Sequence, residues 1–215
     1  LDFVIDNFSF IMYILIIVMI LIIEFKSQEE CHMDKKALYN LSYGVFMLAT
    51  RSGNVVNGCI TNTCIQVANN PVRIAISVLN SNYTCDLIKQ SGIFTLSLLD
   101  QTCSFETIRH FGFQSGRDVD KFAKTGLTPI PMEHVHAMGI DESPVNMECK
   151  ITEKRELGSH TMFIAEVVGV TVDDQYMDET GKFHINESGL VMYSHGEYFA
   201  LGKKLGKFGY SVKKK

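Results

Sequence analysis

Short stretches of β-forming residues, separated by turns, dominate the sequence from residue 33 onward. Many are rich in β-branched and aromatic side chains, and between residues 145 and 152 apolar and polar side chains alternate. That alternation places Cys149 on an apolar face, as a packed thiol. The predicted strands are 44–50, 55–62, 73–78, 93–98, 145–152 and 161–172. So many short strands predict a mainly β protein whose antiparallel sheet is closed or partly closed into a barrel.

Two short helices interrupt the strand patterns. Each is expected to begin after a hydroxyl residue that can cap it and to end at a glycine. The predicted helices are 85–91, between Thr84 and Gly92, and 105–111, between Ser104 and Gly112.

Composition excludes several classes of protein. Hydrophobic residues make up 46% of the chain and charged residues 20%, as in ordinary globular proteins, which excludes a disordered or collagen-like chain. The net charge of −4 provides no basic surface, which argues against a nucleic-acid partner. All of this net charge comes from residues 1–32, which contain five acidic residues and one lysine, so the net charge of residues 33–215 is zero.

The first 32 residues differ from the rest. An apolar run at residues 8–25 reaches about 27 Å as a helix, just enough to cross a bilayer core. One interpretation is a transmembrane anchor, with Lys26, Lys35 and Lys36 keeping the following domain in the cytoplasm. A cleaved signal peptide is disfavoured because neither a basic leader nor a small-residue cleavage site is present.

The alternative is that residues 1–32 are leader DNA translated in an over-extended frame. Their Ile-, Leu- and Phe-rich composition is what AT-rich DNA encodes, and codons for residues 28–30 can read as a ribosome-binding sequence ahead of Met33. We therefore divide the chain into the segment 1–32, a barrel domain at 33–172 and a C-terminal extension at 173–215. We expect a cytoplasmic protein, membrane-bound only if residues 8–25 are an anchor.

No metal site and no disulfide framework are predicted. The six cysteines are irregularly spaced and contain no CxxC pair, which favours reduced thiols in the cytoplasm. His134 and His136 would share a face of a strand, but no third ligand is evident, and we interpret them as polar loop residues. Dinucleotide-binding, P-loop, HExxH and GxSxG motifs are absent.

Three stretches can carry chemistry, and each also has a purely structural interpretation. Residues 57–66 end a strand in Thr61, Asn62 and Thr63, which can receive a phosphate through neutral donors or form a polar turn. Residues 111–118 combine glycines and aromatic residues. Such a segment can pack against a planar ligand, or it can be an ordinary loop that leaves a helix. His160 opens a long strand, where it can donate to a ligand or cap the turn.

Together these stretches resemble the flavin reductase-like family, whose fold is the FMN-binding split β-barrel. The resemblance is to the branch that includes flavoredoxin, archaeal ferric reductase and the flavin domain of high-molecular-weight rubredoxin. It covers about residues 34–172, and residues 1–32 have no counterpart. The matching segments are YNLSYG at 39–44, NGCITNTCIQV at 57–67, NYT at 82–84, SGIF at 91–94, FETIRHFGFQSGRDVDKF at 105–122 and GSHTMFIAEV at 158–167.

The resemblance implies a non-covalent FMN at a homodimer interface. Its phosphate would lie on Thr61, Asn62 and Thr63, and His160 would be the catalytic histidine near the reactive face. The other implied cofactor-binding residues are Gln66, Asn82 and Thr84 near the ribityl chain and ring, and Phe111, Gly112, Phe113, Ser115 and Gly116 in a loop covering the ring. Candidates to balance the phosphate charge are Arg73, Arg109, Arg117 and Lys121.

The implied function is an oxidoreductase that passes electrons from NADH or NADPH through FMN to flavin, ferric or protein acceptors. The chemistry would belong to the flavin. Two alternatives stay open: an electron carrier that does not oxidise NAD(P)H directly, and a non-catalytic flavin- or heme-binding module. The expected partners are a second copy of the chain and a rubredoxin or other iron protein.

Overall fold

The computed structural model describes residues 16–19, 35–184, 187–194, 196–206 and 209. The chain divides into two units, Leu1–Leu38 and Tyr39–Lys215. Of the first unit, residues 16–19 are helical and a 3-10 helix begins at Lys35. The apolar run at 8–25 otherwise lies outside the described residues. Among the described residues, no helix combines the length and the apolar character needed to cross a membrane.

The second unit is built mainly from strands that pair antiparallel with their neighbours. The strands are β1 (Ser42–Gly44), β2 (Phe46–Ser52), β3 (Val55–Thr61), β4 (Cys64–Asn69), β5 (Val72–Leu79), β6 (Ile93–Leu98), β7 (Pro129–Pro131), β8 (Met138–Ile140), β9 (Val145–Leu157), β10 (His160–Val172), β11 (Val191–Ser194) and β12 (Glu197–Ala200). The helices are α1 (Tyr83–Ser91), α2 (Phe105–Phe113) and α3 (Lys121–Thr125), with 3-10 helices at Lys35–Asn40 and Asp174–Tyr176.

The main sheet has seven strands in the order β3-β2-β6-β9-β10-β5-β4, so the consecutive strands β3 and β4 lie at opposite edges. Only Asn62 and Thr63 connect them. Three Cα–Cα steps span at most about 11 Å, so the two edges must come that close at this point. The sheet is therefore rolled into a barrel that is not hydrogen-bonded between β3 and β4, and we call this opening the seam.

Two apolar clusters pack on the two faces of β2, because successive side chains of a strand point to opposite sides. Leu48 belongs to the cluster that also contains Phe94, Phe163 and Cys149 and that packs against α1. Met47 belongs to the second cluster, which is built with residues of α2. Cys149 is fully buried, as the alternation predicted.

The helix ends confirm part of the prediction. Gly92 ends α1 with a φ of 71°, and the Ser104 hydroxyl accepts a hydrogen bond from the Thr107 N–H at the start of α2. Thr84 as the cap of α1 is wrong: Asn82 is the cap, and its Oδ1 accepts from the Thr84 N–H. Gly112 as the end of α2 is also wrong, because the helix continues to Phe113.

A smaller three-stranded sheet joins the start of the second unit to its end. β11 pairs with β1 and with β12, and Tyr43 lies opposite Tyr193. Both β11 and β12 belong to the predicted C-terminal extension, and the boundary at residue 172 stays a prediction.

A buried carboxylate holds the loop between β7 and β8. Glu148, only 2% exposed, accepts hydrogen bonds from the backbone N–H groups of His134 and Val135, and His134 Nδ1 lies 3.0 Å from Glu148 Oε1. Burial raises the pKa of Glu148, but these hydrogen bonds outweigh it and leave the pKa below its usual value. The hydrogen bond to Glu148 raises the pKa of His134.

We expect this pair to make stability pH-dependent in both directions. Glu148, with its lowered pKa, contributes stability that is lost as the pH falls below about 4, and His134, with its raised pKa, contributes stability that is lost as the pH rises above about 6.5. Glu148→Gln should flatten both slopes and lower the free energy of unfolding near pH 6 by about 1–3 kcal/mol. Urea unfolding between pH 3 and pH 9 measures this. Glu153→Gln, at an exposed position of the same strand, is the matched control. Unchanged slopes in Glu148→Gln would contradict the prediction.

Candidate functional site

A cavity of about 310 Å³ lies beside the seam. Seven residues predicted from the sequence line it: Thr61, Asn62, Thr63, Asn82, Gly112, Phe113 and His160. They come from the seam, from the start of α1, from the end of α2 and from the first residue of β10. The fold thus brings together four segments that are far apart in the sequence.

The lining of the cavity combines polar and apolar residues. Threonines, asparagines and a histidine line it together with Val45, Ile108, Phe113 and two tyrosines. Among the described residues that line it, none is an aspartate, glutamate, lysine or arginine. A neutral cavity with an apolar wall and a few hydrogen-bonding groups suits a planar, mainly uncharged ring system.

His160 is half-buried at the mouth of the barrel. It begins β10 directly after the turn of Gly158 and Ser159, in which Gly158 adopts a φ of 69°. His160 Nδ1 lies 2.8 Å from the Ser159 hydroxyl. Because Nδ1 is hydrogen-bonded to Ser159, Nε2 is the ring nitrogen that can hydrogen-bond to a ligand.

The seam residues hydrogen-bond to one another. The Thr63 N–H donates to the Thr61 hydroxyl at 3.2 Å, and the Thr63 hydroxyl donates to Asn62 Oδ1 at 3.2 Å. Thr61 is buried, whereas Thr63 is exposed. To bind an anion here, these residues would have to break their mutual hydrogen bonds and form hydrogen bonds to the anion.

Five of the twelve predicted site residues do not line this cavity, and three of them are held elsewhere in the barrel. Gln66 is exposed on β4, and its amide donates to Ala68 O and Asn69 Oδ1. Thr84 is fully buried in the first turn of α1 and accepts a hydrogen bond from Asn57 Nδ2 at 2.9 Å. Phe111 is in the core, edge-on to Phe122 with ring centroids 5.0 Å apart.

Phe111 and Phe113 are separated because α2 is longer than the sequence predicted. Two residues apart on a helix are about 200° apart around its axis, so the two rings point in nearly opposite directions. Phe111 is 1% exposed and Phe113 83% exposed. The predicted covering loop therefore supplies Gly112 and Phe113 to this cavity and leaves Phe111 to the core.

Ser115 and Gly116 lie further along, and Gly116 lines a neighbouring cavity of about 570 Å³. A Cβ at Gly116 would lie 1.9 Å from Asn57 Oδ1, so any other residue there would have to displace the buried Asn57 amide. Ser115 accepts from the Arg117 N–H. Lys121 lines the same neighbouring cavity, where its Nζ donates to the carbonyls of Gly58 and Phe111, and burial lowers its pKa.

None of the four basic residues proposed for a phosphate lines the seam cavity. Arg117 pairs with Asp86 and stacks on the Tyr83 ring, 4.5 Å from its centroid. Arg109 and Arg73 form ion pairs on the surface, Arg109 with Glu106 and Arg73 with Glu153. The fourth, Lys121, lines the neighbouring cavity.

The structure adds cavity residues that the sequence analysis did not single out. Tyr193 and Tyr198, from β11 and β12, form part of the apolar lining and contact each other edge-on at 5.5 Å. Ser77, Val78 and Leu79, at the end of β5, also line the cavity. The sequence contains a feature from which the two tyrosines could have been found: the aromatic residues on either side of Gly196 predict a hairpin with a glycine turn.

Comparison with known proteins agrees with this architecture. The family model described as flavin reductase like domain matches residues 38–202. The chain belongs to the flavin reductase-like family. Members of this family are flavin-dependent oxidoreductases, and the cofactor class to consider for the seam cavity is a flavin.

The chain resembles several relatives in this family. It is 32% identical over 172 residues to the ferric-chelate reductase (NAD(P)H) of Archaeoglobus fulgidus, covering 78% of this chain and 98% of that protein. It is 32% identical over 140 residues to the high molecular weight rubredoxin of Moorella thermoacetica, covering 65% of this chain but only 60% of that protein.

Solved structures confirm the predicted split barrel. The flavoredoxin of Desulfovibrio vulgaris (Miyazaki F) superposes with a TM-score of 0.76 at 29% identity, covering 86% of this chain and all of that one. A split-barrel protein of Shewanella frigidimarina superposes with a TM-score of 0.72 at 24% identity, covering 86% of this chain and 95% of that chain. The prediction of a mainly β, antiparallel split barrel with few short helices is confirmed.

We expect the two phenylalanines of α2 to respond oppositely to the same truncation. Phe111→Ala should lower the free energy of unfolding by about 3–5 kcal/mol, because it leaves a cavity in the core. Phe113→Ala should change it by less than about 0.5 kcal/mol, because the ring is exposed, but should weaken flavin binding. Urea unfolding and a fluorescence titration with FMN measure both effects. Similar losses of stability in the two variants would contradict the separation of their roles.

Proposed function

We propose that this protein is a flavin reductase that holds FMN in the seam cavity and uses it to pass electrons from NADH or NADPH to flavin, ferric or protein acceptors. The observation that carries the proposal is the cavity itself, which combines aromatic residues, neutral polar residues and a histidine at a strand end. The name of the Archaeoglobus relative, ferric-chelate reductase (NAD(P)H), supports both the donor and the ferric acceptor.

The residues present fit a flavin ring. An isoalloxazine has an apolar end and an edge of carbonyl oxygens and ring nitrogens, which suit the apolar and the polar residues of the lining. Asn82 supplies an amide to the ring without bringing a charge, and Gly112 leaves room because it has no side chain. When bound, FMN supplies the redox chemistry, accepting hydride equivalents and releasing electrons.

The chain's own groups have distinct tasks in this proposal. Thr61, Asn62 and Thr63 exchange their mutual hydrogen bonds for bonds to the FMN phosphate. Phe113, Tyr193 and Tyr198 exclude water from the ring. Nε2 of His160 donates a hydrogen bond at the reactive face, and the Ser159 hydroxyl holds the ring orientation through Nδ1.

A second candidate is an electron carrier that receives electrons from another protein. The similarity to flavoredoxin, at a TM-score of 0.76 and 29% identity, favours it. The name of the Moorella relative, high molecular weight rubredoxin, supports a rubredoxin or other iron protein as the partner in either case.

We also propose a homodimer in a reducing, cytoplasmic compartment. Edge strand β4 has no strand neighbour at the seam, and it exposes Ile65 by 63% and Val67 by 46%, which are suited to pairing with a second copy. All five described cysteines are free thiols, as is usual in the cytoplasm.

An anaerobic titration of the FMN-loaded full chain with NADH and then NADPH tests the leading function. We expect the oxidised flavin absorbance to bleach within seconds on addition of one of the two. A spectrum that stays oxidised with both nucleotides but bleaches with dithionite would contradict direct NAD(P)H oxidation and support the electron carrier. Failure to retain FMN would contradict both functions.

His160→Gln should slow flavin reduction by about tenfold or more while changing the Kd for FMN by less than about twofold. The physical reason is that glutamine keeps a donor but loses the imidazole geometry at the reactive face. Stopped-flow reduction and fluorescence titration measure the two quantities. His136→Gln, at an exposed histidine of the loop at residues 132–137, is the matched control. Equal losses of rate and binding would give His160 a structural role only.

A further inference from the structure

The residue after His160 anchors a hydrogen-bond network on the other face of β10. Neighbouring side chains of a strand point to opposite faces, so Thr161 points away from the cavity that His160 lines. Thr161 is fully buried. Its hydroxyl lies 2.6 Å from Asn80 Oδ1 and 2.9 Å from Glu156 Oε2, so its single hydrogen is shared between two acceptors.

Asn80 carries this network to the turn that presents His160. Asn80 directly follows β5, and its Nδ2 donates to Gly158 O at 2.8 Å. Its backbone N–H donates to Ser159 O at 2.9 Å. A single residue just beyond the end of β5 therefore binds both carbonyls of the two-residue turn.

Lys89 of α1 completes the network. Its Nζ lies 2.9 Å from Glu156 Oε1 and 3.5 Å from Asn80 Oδ1. The hydrogen bond from Lys89 lowers the pKa of Glu156, which therefore stays an ionised acceptor. The turn is thus tied to α1, β5 and β9 at once.

These bonds do more than close the hairpin. The backbone pair between Leu157 and His160 already closes the turn between β9 and β10. β10 already pairs with β5 as far as His160 and Leu79, and the bonds from Asn80 extend this attachment to Gly158 and Ser159, beyond the last paired residues. They therefore hold the turn that presents His160 next to Leu79, which also lines the cavity.

We propose that Thr161 and Asn80 are positioning residues for flavin reduction, acting through the placement of His160. The inference rests on the proposed function, because it requires His160 to act at the flavin. Displacement of a reacting group by about 1 Å can cost up to about a hundredfold in rate. Loss of one of several anchoring bonds should displace His160 by less than that, so we expect a loss of about tenfold.

The test compares Thr161→Val with Thr161→Ser in the full chain. Valine keeps the shape and removes the hydroxyl, whereas serine keeps the hydroxyl. We expect about tenfold slower flavin reduction in Thr161→Val, near-normal reduction in Thr161→Ser, and a Kd for FMN within about twofold in both. Thr171→Val, at an exposed threonine of the same strand, is the matched control. Equal slowing by valine and serine would overturn the inference.

A double variant tests whether the effect passes through His160. If it does, Thr161→Val combined with His160→Gln is no slower than His160→Gln alone. A further tenfold loss in the double variant would overturn the inference.

A second readout uses the flavin-free protein. The imidazole NMR signals of His160, identified by their absence in His160→Gln, should shift in Thr161→Val and keep their positions in Thr161→Ser. Signals unmoved by Thr161→Val would overturn the positioning inference. An unslowed His160→Gln would instead overturn the proposed role of His160, so the two failures are distinguishable.

Discussion

Two residues carry the chain from one edge of the seven-stranded sheet to the other, and this short connection determines the shape of the barrel. Asn62 and Thr63 cannot span a flat sheet of seven strands, so the sheet has to roll until its edges approach. The edges meet without a ladder of hydrogen bonds between them. Backbone groups there need other partners, such as side chains, water or a ligand. The Thr61 hydroxyl already serves the Thr63 N–H in this way.

The seam explains why the cavity beside it is assembled from distant segments. Its polar lining is formed where strands end, and its apolar lining is provided by α2 and by the small sheet of β1, β11 and β12. The charged residues nearby are engaged elsewhere: Lys121 binds backbone carbonyls, and Lys89 and Glu156 pair behind β10. These charged residues therefore stabilise the segments around the cavity, while the cavity itself is lined by uncharged groups that suit a flavin ring.

Local patterns predicted six of the seven strands of the main sheet and one end of each of two helices, because alternation and capping are short-range effects. Cys149 and Gly92 are examples. The different fates of Phe111 and Phe113 could not be predicted, since they depend on whether Gly112 ends the helix or lies within it. Tyr193 could not be placed either, because its position depends on pairing with Tyr43, 150 residues earlier. Seven of the twelve predicted site residues line one cavity because the family resemblance captured the segments around the seam.

The pairing of β1 with β11 has a consequence for how the protein folds during its synthesis. Two cavity residues, Tyr193 and Tyr198, lie about 150 residues after Val45, which also lines the cavity. During synthesis the wall they form is absent until β11 and β12 have left the ribosome, and contacts so distant in sequence form slowly. A ligand that needs this wall stabilises only chains that already contain both strands. Cofactor capture would thereby favour chains that include β11 and β12 over shorter ones, which would lack both the ligand and the stability it confers.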